Sequence, residues 1–179
     1  MRYKIIIEYD GTPFCGWQRQ DNGLSIQECI EVAIESLFQE KVVVFGAGRT
    51  DKKVHAHGQT AHFDINNKKL DLYTIKSGLN HYLNIYPISI LDIVEVDTEF
   101  HSRFSAKQRI YRYIIFNQIS APVIENGRGW HVRKILDVDL MKKGAKKLLG
   151  TNDYSTFRSS SCHAKSSIRT IKSIKIRAL

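Results

Sequence analysis

At 179 residues, with 42% hydrophobic and 25% charged side chains, the chain has the composition of a soluble globular protein of one domain or two small ones. It contains no apolar run near the ~20 residues that a membrane-crossing helix needs, and its N-terminus, MRYKIIIEYDG, lacks the apolar core of a secretory signal. The formal net charge of +9 is unevenly spread: residues 1–100 hold 10 Lys and Arg against 14 Asp and Glu, net −4, whereas residues 101–179 hold 17 against 4, net +13.

The first predicted element is a strand, because Tyr3, Ile5, Ile7 and Tyr9 alternate with other residues up to the Asp10-Gly11 turn. TPFCGWQRQDNG then reads as a loop with exposed aromatic and amide groups. Ser25 opens a helix, with Glu28 three residues on forming a capping box. Ile26, Ile30, Ala33, Ile34 and Leu37 share one face of that helix, and Cys29 falls on the same apolar side. KVVVF reads as a second strand, QTAHFDI as a third, LYTIKSGLNHYL as a helix and ISILDIVEVD as a fourth strand. This βαββαβ order predicts an α+β fold, an antiparallel sheet with helices packed on one face.

Residues 100–109 form a charged connector. A strand at IYRYIIFN, a helix at VDLMKKGAKKLLG and a strand at IRTIKSIKI then begin a second unit that looks incomplete, its last strand leaving an unpaired edge. The expected division is a first domain over residues 1–99 and a basic second one over residues 100–179.

A half as basic as residues 101–179 points to a polyanion, of which nucleic acid is the commonest; a basic surface kept for solubility is the plain alternative. Cys15, Cys29 and Cys162 are odd in number and never form a C-x-x-C pair, which argues against a disulfide framework or a thiolate zinc site. Free thiols fit a reducing compartment, so a cytoplasmic location is expected.

Four constellations could carry chemistry. The run GAGRTDKKVHAHGQTAHF, residues 46–63, places one carboxylate, Asp51, in a turn between Arg49 and two lysines. Opposite charge nearby favours the ionised acid, which can serve as nucleophile, general base or metal ligand. Alternatively the carboxylate holds the turn by accepting from backbone N–H groups. His55, His57 and His62 form the second constellation; an H-x-H pair on a strand shares a face and with Asp51 could ligate a metal, although ordinary polar histidines are the better reading.

The third is FHSRFSAKQRIYRYIIFN, where Arg103, Lys107, Arg109 and Arg112 are interleaved with Phe104, Tyr111 and Tyr113. Cations neutralise phosphates while rings stack on unpaired bases. Tyr113 is expected in the core, whereas for Tyr111 both readings stay open. The fourth, DYSTFRSSSCHAKSSIRTIK, offers hydroxyls with Arg158 and Lys165 as phosphate donors, or is a plain polar loop.

Taken together, EYDGTPFCGWQRQ and these last runs closely resemble the TruA family of tRNA pseudouridine synthases, in that family's order and over essentially the whole chain. The resemblance implies a pseudouridine synthase fold of two ferredoxin-like halves, the second incomplete here. It implies an isomerase acting on uridines 38 to 40 of the tRNA anticodon arm, using no metal or organic cofactor and working as a homodimer. Asp51 matches the family's catalytic aspartate, Tyr111 the tyrosine that packs on the target base, and Arg49 the arginine associated with opening that base out. Arg103, Lys107, Arg109, Arg158 and Lys165 are then candidate RNA contacts.

Two departures stand out. The family motif commonly has glycine where Lys53 stands, so a required positive φ would strain the loop and could displace Asp51. Family sequences also continue for several tens of residues past the point matched by Leu179, into a G-F-L-R-H-M-V-R-like segment whose arginine pairs with the catalytic aspartate. The resemblance therefore implies a truncated chain, and a catalytically impaired tRNA-binding remnant is the alternative reading.

Overall fold

A computed structural model describes residues 1–66, 70–158 and 166–178. The chain divides into two units, Met1–Arg112 and Tyr113–Leu179, so the connector that follows residue 99 belongs with the first.

The first unit runs β1 (Arg2–Tyr9), α1 (Ile26–Phe38), β2 (Phe45–Gly46), β3 (Ala56–Asp64), α2 (Leu72–Leu83) and β4 (Ile88–Val96). The four strands form one antiparallel sheet in the order β2-β3-β1-β4, the arrangement expected of a βαββαβ unit. Register puts Tyr3 beside Phe63 and Ile5 between Ala61 and Ile93, all on one face. That face is buried under Ile26, Ile30, Ala33 and Ile34 of α1 and Ile75, Leu79 and Leu83 of α2. Full burial of each large aliphatic side chain stabilises by about 1.5–3 kcal/mol, so this layer supplies the main driving force of the unit.

The helix starts follow from their caps: Ser25 Oγ accepts from Glu28 N at 3.2 Å, and Asp71 Oδ1 from Thr74 N at 2.9 Å. Cys29 lies in the core, where burial first and Glu28 second push its thiol up to about 12, leaving it protonated.

Three expectations change. KVVVF pairs only at Phe45–Gly46, because Val44 N donates to Glu31 Oε1 (3.0 Å) and Val44 O accepts from Gln27 Nε2 (3.2 Å), side chains of α1 taking the place of a strand neighbour. The loop before α1 is not exposed at its aromatics. Phe14 and Trp17 are 1% and 2% exposed, held by Cys15 N to Leu24 O and Gln27 N to Trp17 O. Tyr113 is 88% exposed rather than core, since residues 110–113 belong to no strand and nothing pairs them into a layer.

In the second unit β5 (Ile115–Asn117) pairs parallel with β6 (Trp130–Val132), and β7 (Gly150–Asp153) pairs antiparallel with β8 (Ile168–Ile171). Between them α3 (Val138–Lys146) is capped by Asp137, whose Oδ1 accepts from Asp139 N and Leu140 N, both at 2.9 Å. No described residue of this unit is buried. Its sequence carries 13 Lys and Arg against 4 Asp and Glu, net +9, while residues 1–112 balance at 14 against 14. All of the excess positive charge therefore lies in the second unit.

Candidate active site

The loop from β2 to β3 carries Asp51, and the first unit grips its backbone from several sides. Ala47 N donates to Thr60 O of β3 (2.8 Å), and Trp17 N donates to Thr50 O (3.0 Å). Gln59 Nε2 donates to Gly48 O at 2.5 Å. Tyr9, at the end of β1, shares a 2.8 Å hydrogen bond between its hydroxyl and Thr50 Oγ1. Burial raises the Tyr9 pKa, against the opposing pull of Thr50, so the phenol stays neutral. Packing is close enough to demand glycine at two points. A Cβ on Gly46 would lie 2.7 Å from the Trp17 ring, and one on Gly11 would lie 2.1 Å from Val54 O.

The turn at Asp51 closes through its backbone, Val54 N donating to Asp51 O at 3.1 Å. Lys53 occupies the third position with φ 67, the only left-handed residue of the four, which is the form of a type II turn. The turn is therefore kept with lysine in it, at the positive φ that the position was expected to require.

The Asp51 carboxylate is exposed and makes no hydrogen bond or ion pair among the described residues, Arg49 included. The turn-holding role is thus filled by the backbone, and the acid is left facing solvent. Asp10, Asp71 and Asp137, by contrast, each accept from the backbone of a turn or helix start. Arg49 is exposed as well, two residues before Asp51.

The three histidines part company. His55 Nδ1 lies 3.0 Å from Asp10 Oδ1 and 3.2 Å from Gly11 N, with its Nε2 buried and unpartnered among the described residues. His57 Nδ1 lies 3.2 Å from Glu8 Oε1. His62 is buried on the sheet face opposite the helices, 3.0 Å from Ser102 Oγ. No group of three metal-type ligands gathers among the described residues.

The connector is laid over that same sheet face. Ser102 Oγ donates to Phe45 O at 2.5 Å, and the His62 ring stacks on Phe45 and meets His101 edge-on. Arg109, in the same connector, donates from Nη2 to Ala47 O at 2.7 Å. Arg103 and Lys107 are exposed, the Arg103 guanidinium 5.8 Å from the Phe104 ring centre. Tyr111 stands 72% exposed, two residues beyond Arg109. Arg158 is exposed in the second unit, after a turn of 3-10 helix at Ser155–Phe157. Lys165 lies outside the described residues.

Sequence reasoning missed the supports of this site. Gln27 and Glu31 are buried polar residues of α1: Gln27 Oε1 accepts from Gln18 Nε2 and Arg19 N, and Glu31 Oε2 accepts from Arg19 Nη1 at 3.2 Å. Their signal was present, two polar residues four apart beside the apolar stripe of a helix.

Comparison with known proteins gives consistent matches. A family model described as tRNA pseudouridine synthase matches residues 5–105, a span that holds the Asp51 loop and most of the connector. The chain is 54% identical over 177 residues to the tRNA pseudouridine synthase A of Pelagibacter ubique, covering 99% of this chain and 72% of that protein. It is 49% identical over 180 residues to the tRNA pseudouridine synthase A of Anaplasma phagocytophilum, covering 99% and 73%. The protein of the same name from Wolbachia sp. subsp. Drosophila simulans is 49% identical over 177 residues, covering 98% and 72%.

Proposed function

The chain belongs to the tRNA pseudouridine synthase family, and we propose that it isomerises uridines 38 to 40 of the tRNA anticodon arm to pseudouridine, with Asp51 as the catalytic carboxylate. The observation that carries this reading is the placement of Asp51: an exposed acid, unbonded among the described residues, on a loop whose backbone is held by Trp17, Gln59 and Arg109 and whose Thr50 hydroxyl is held by Tyr9. A loop fixed through its main chain presents its side chain in one place, which is what a reacting group requires.

The target base leaves its stack to be reached. The bond from the ribose to N1 breaks, the uracil turns, and a bond from the ribose to C5 forms. C5 loses its hydrogen, N1 gains one, and nothing is oxidised or reduced. Asp51 supplies the negative charge that works on the ribose or the base. Tyr111, exposed in the connector, stacks on the uracil, and Arg49 helps to hold the opened base. The net +9 of the second unit supports its role as the tract that meets tRNA phosphates, with Arg158 and Lys165 among the contacts and Arg103 and Lys107 adding from the connector. The working form is a homodimer.

Tritium release from tRNA carrying 5-tritiated uridine reads the reaction directly. The parent chain should release tritium, and Asp51→Asn should release none while binding tRNA as before. Continued release by Asp51→Asn would remove Asp51 from the catalytic role. A second reading, tRNA binding without turnover, is favoured by the strained residue at Lys53; binding with no release by the parent chain would establish it.

A further inference from the structure

We infer that Arg109 is a positioning residue that fastens the Asp51 loop to the connector bearing Tyr111, rather than a phosphate contact; the inference rests on reading Asp51 as the reacting acid.

Four carbonyls along the loop are held. Ala47 O accepts from Arg109 (2.7 Å), Gly48 O from Gln59 (2.5 Å), Thr50 O from Trp17 N (3.0 Å) and Asp51 O from Val54 N (3.1 Å). Three of those donors come from the β1–α1 loop, from β3 or from the turn itself. Of the four, Arg109 alone brings in the connector, and it lies two residues before Tyr111.

The connector is first secured at Ser102, whose Oγ donates to Phe45 O and whose backbone N–H donates to His62 Nδ1 at 3.3 Å. Upstream, Arg2 Nη1 donates to Phe100 O at 2.7 Å. Between Ser102 and Tyr111 the Arg109 guanidinium links back to the loop, and the same Nη2 reaches Arg103 O at 3.4 Å, folding the connector on itself. Phe45 and Ala47 flank the end of β2, so Ser102 and Arg109 attach the connector on either side of the point where the strand becomes the catalytic loop.

A guanidinium bonded to a carbonyl at 2.7 Å makes a charge-assisted hydrogen bond whose direction is set by its planar fork, which a lysine does not reproduce. Arg109 is exposed like the neighbouring cations with which its sequence groups it, but differs in its bonding: the Arg103 and Lys107 side chains donate no hydrogen bond to another residue among the described ones. Arg109 sets where Tyr111 starts relative to Asp51.

The test uses the full chain with Arg109→Ala and Arg109→Lys, read by amide hydrogen exchange, tRNA affinity against salt, and tritium-release kinetics. Both variants should raise exchange in residues 47–51 about tenfold, the equivalent of one charge-assisted hydrogen bond, with β1 unchanged. The melting temperature and the salt slope of tRNA binding should stay at the parent values, and kcat should fall about tenfold with KM unchanged. Unchanged loop exchange with a salt slope reduced by about one overturns the inference and makes Arg109 a phosphate contact. Unchanged exchange and unchanged slope overturn it as well. Exchange and slope decide the matter even where the parent chain shows no turnover. An active Asp51→Asn would remove the reading of Asp51 while the loop-clasp result stood by itself.

Discussion

Replacing Lys53 by glycine should stabilise the first unit. Lys53 sits at φ 67, where the Cβ of an L-residue crowds the backbone at a cost of roughly 1–2 kcal/mol. Glycine removes that strain but enlarges the freedom of the unfolded chain, which returns about 0.4–1 kcal/mol. The net gain is about 0.5–1 kcal/mol, a rise of about 2–6 °C in melting temperature for a unit of this size. Charge is a competing explanation, since Arg49, Lys52 and Lys53 crowd one exposed loop. Lys53→Ala separates the two, because it deletes the charge and keeps the Cβ. It should stay within about 0.5 kcal/mol of the parent, exposed charges contributing little. Lys53→Asn should fall between them, asparagine tolerating the left-handed region better than most residues. Urea unfolding followed by the emission of Trp17, buried against this loop, reads the first unit. If glycine gains no more than alanine, the strain argument is refuted.

The pH dependence of that unit should carry the mark of His62, whose pKa falls from 6.5 to about 4 through burial first, then the nearby Arg2 and His101. Because the unfolded state takes up the proton first, stability should decline as pH falls from 6.5 to 4 and level off below, by at most about 1.4 kcal/mol per pH unit. His62→Gln should flatten this window in urea midpoints, and an unchanged slope would assign it to other groups. Limited chymotrypsin digestion should cut first near the exposed Tyr113, Trp130 and Phe157 and leave a fragment of about residues 1–112, since no described residue of the second unit is buried. First cuts inside β1 or β3 would contradict that ranking.

Much of the first unit was legible in the sequence because its signals are local. Alternation marked β1, and the Ser25 cap and apolar stripe marked α1. The run LYTIKSGLNHYL became α2 over Leu72–Leu83 as read. The errors arose where a segment's partner lies far along the chain. KVVVF has the composition of a strand, yet buried Glu31 and Gln27 occupy the backbone groups of Val44. IYRYIIFN alternates well, but only Ile115–Asn117 finds a neighbour, and Tyr113 is left in solvent. Alternation states that a strand could form and is silent on what it would pair with.

For the site itself, residue types and spacing singled out Asp51, while the roles of Arg49 and Tyr111 and the importance of a positive φ at Lys53 came from the resemblance to the TruA family. Whether the acid would be tied into its turn, paired with Arg49 or left free was decided by tertiary structure, because those outcomes depend on distances that spacing does not contain. The same holds for Arg109, one cation among several in a basic run until the fold brings Ala47 O within 2.7 Å of it. Local sequence determines which chemistry a loop carries; the hydrogen bonds from Tyr9, Trp17, Gln59 and Arg109, residues from 11 to 62 positions away from their partners, determine where that chemistry points.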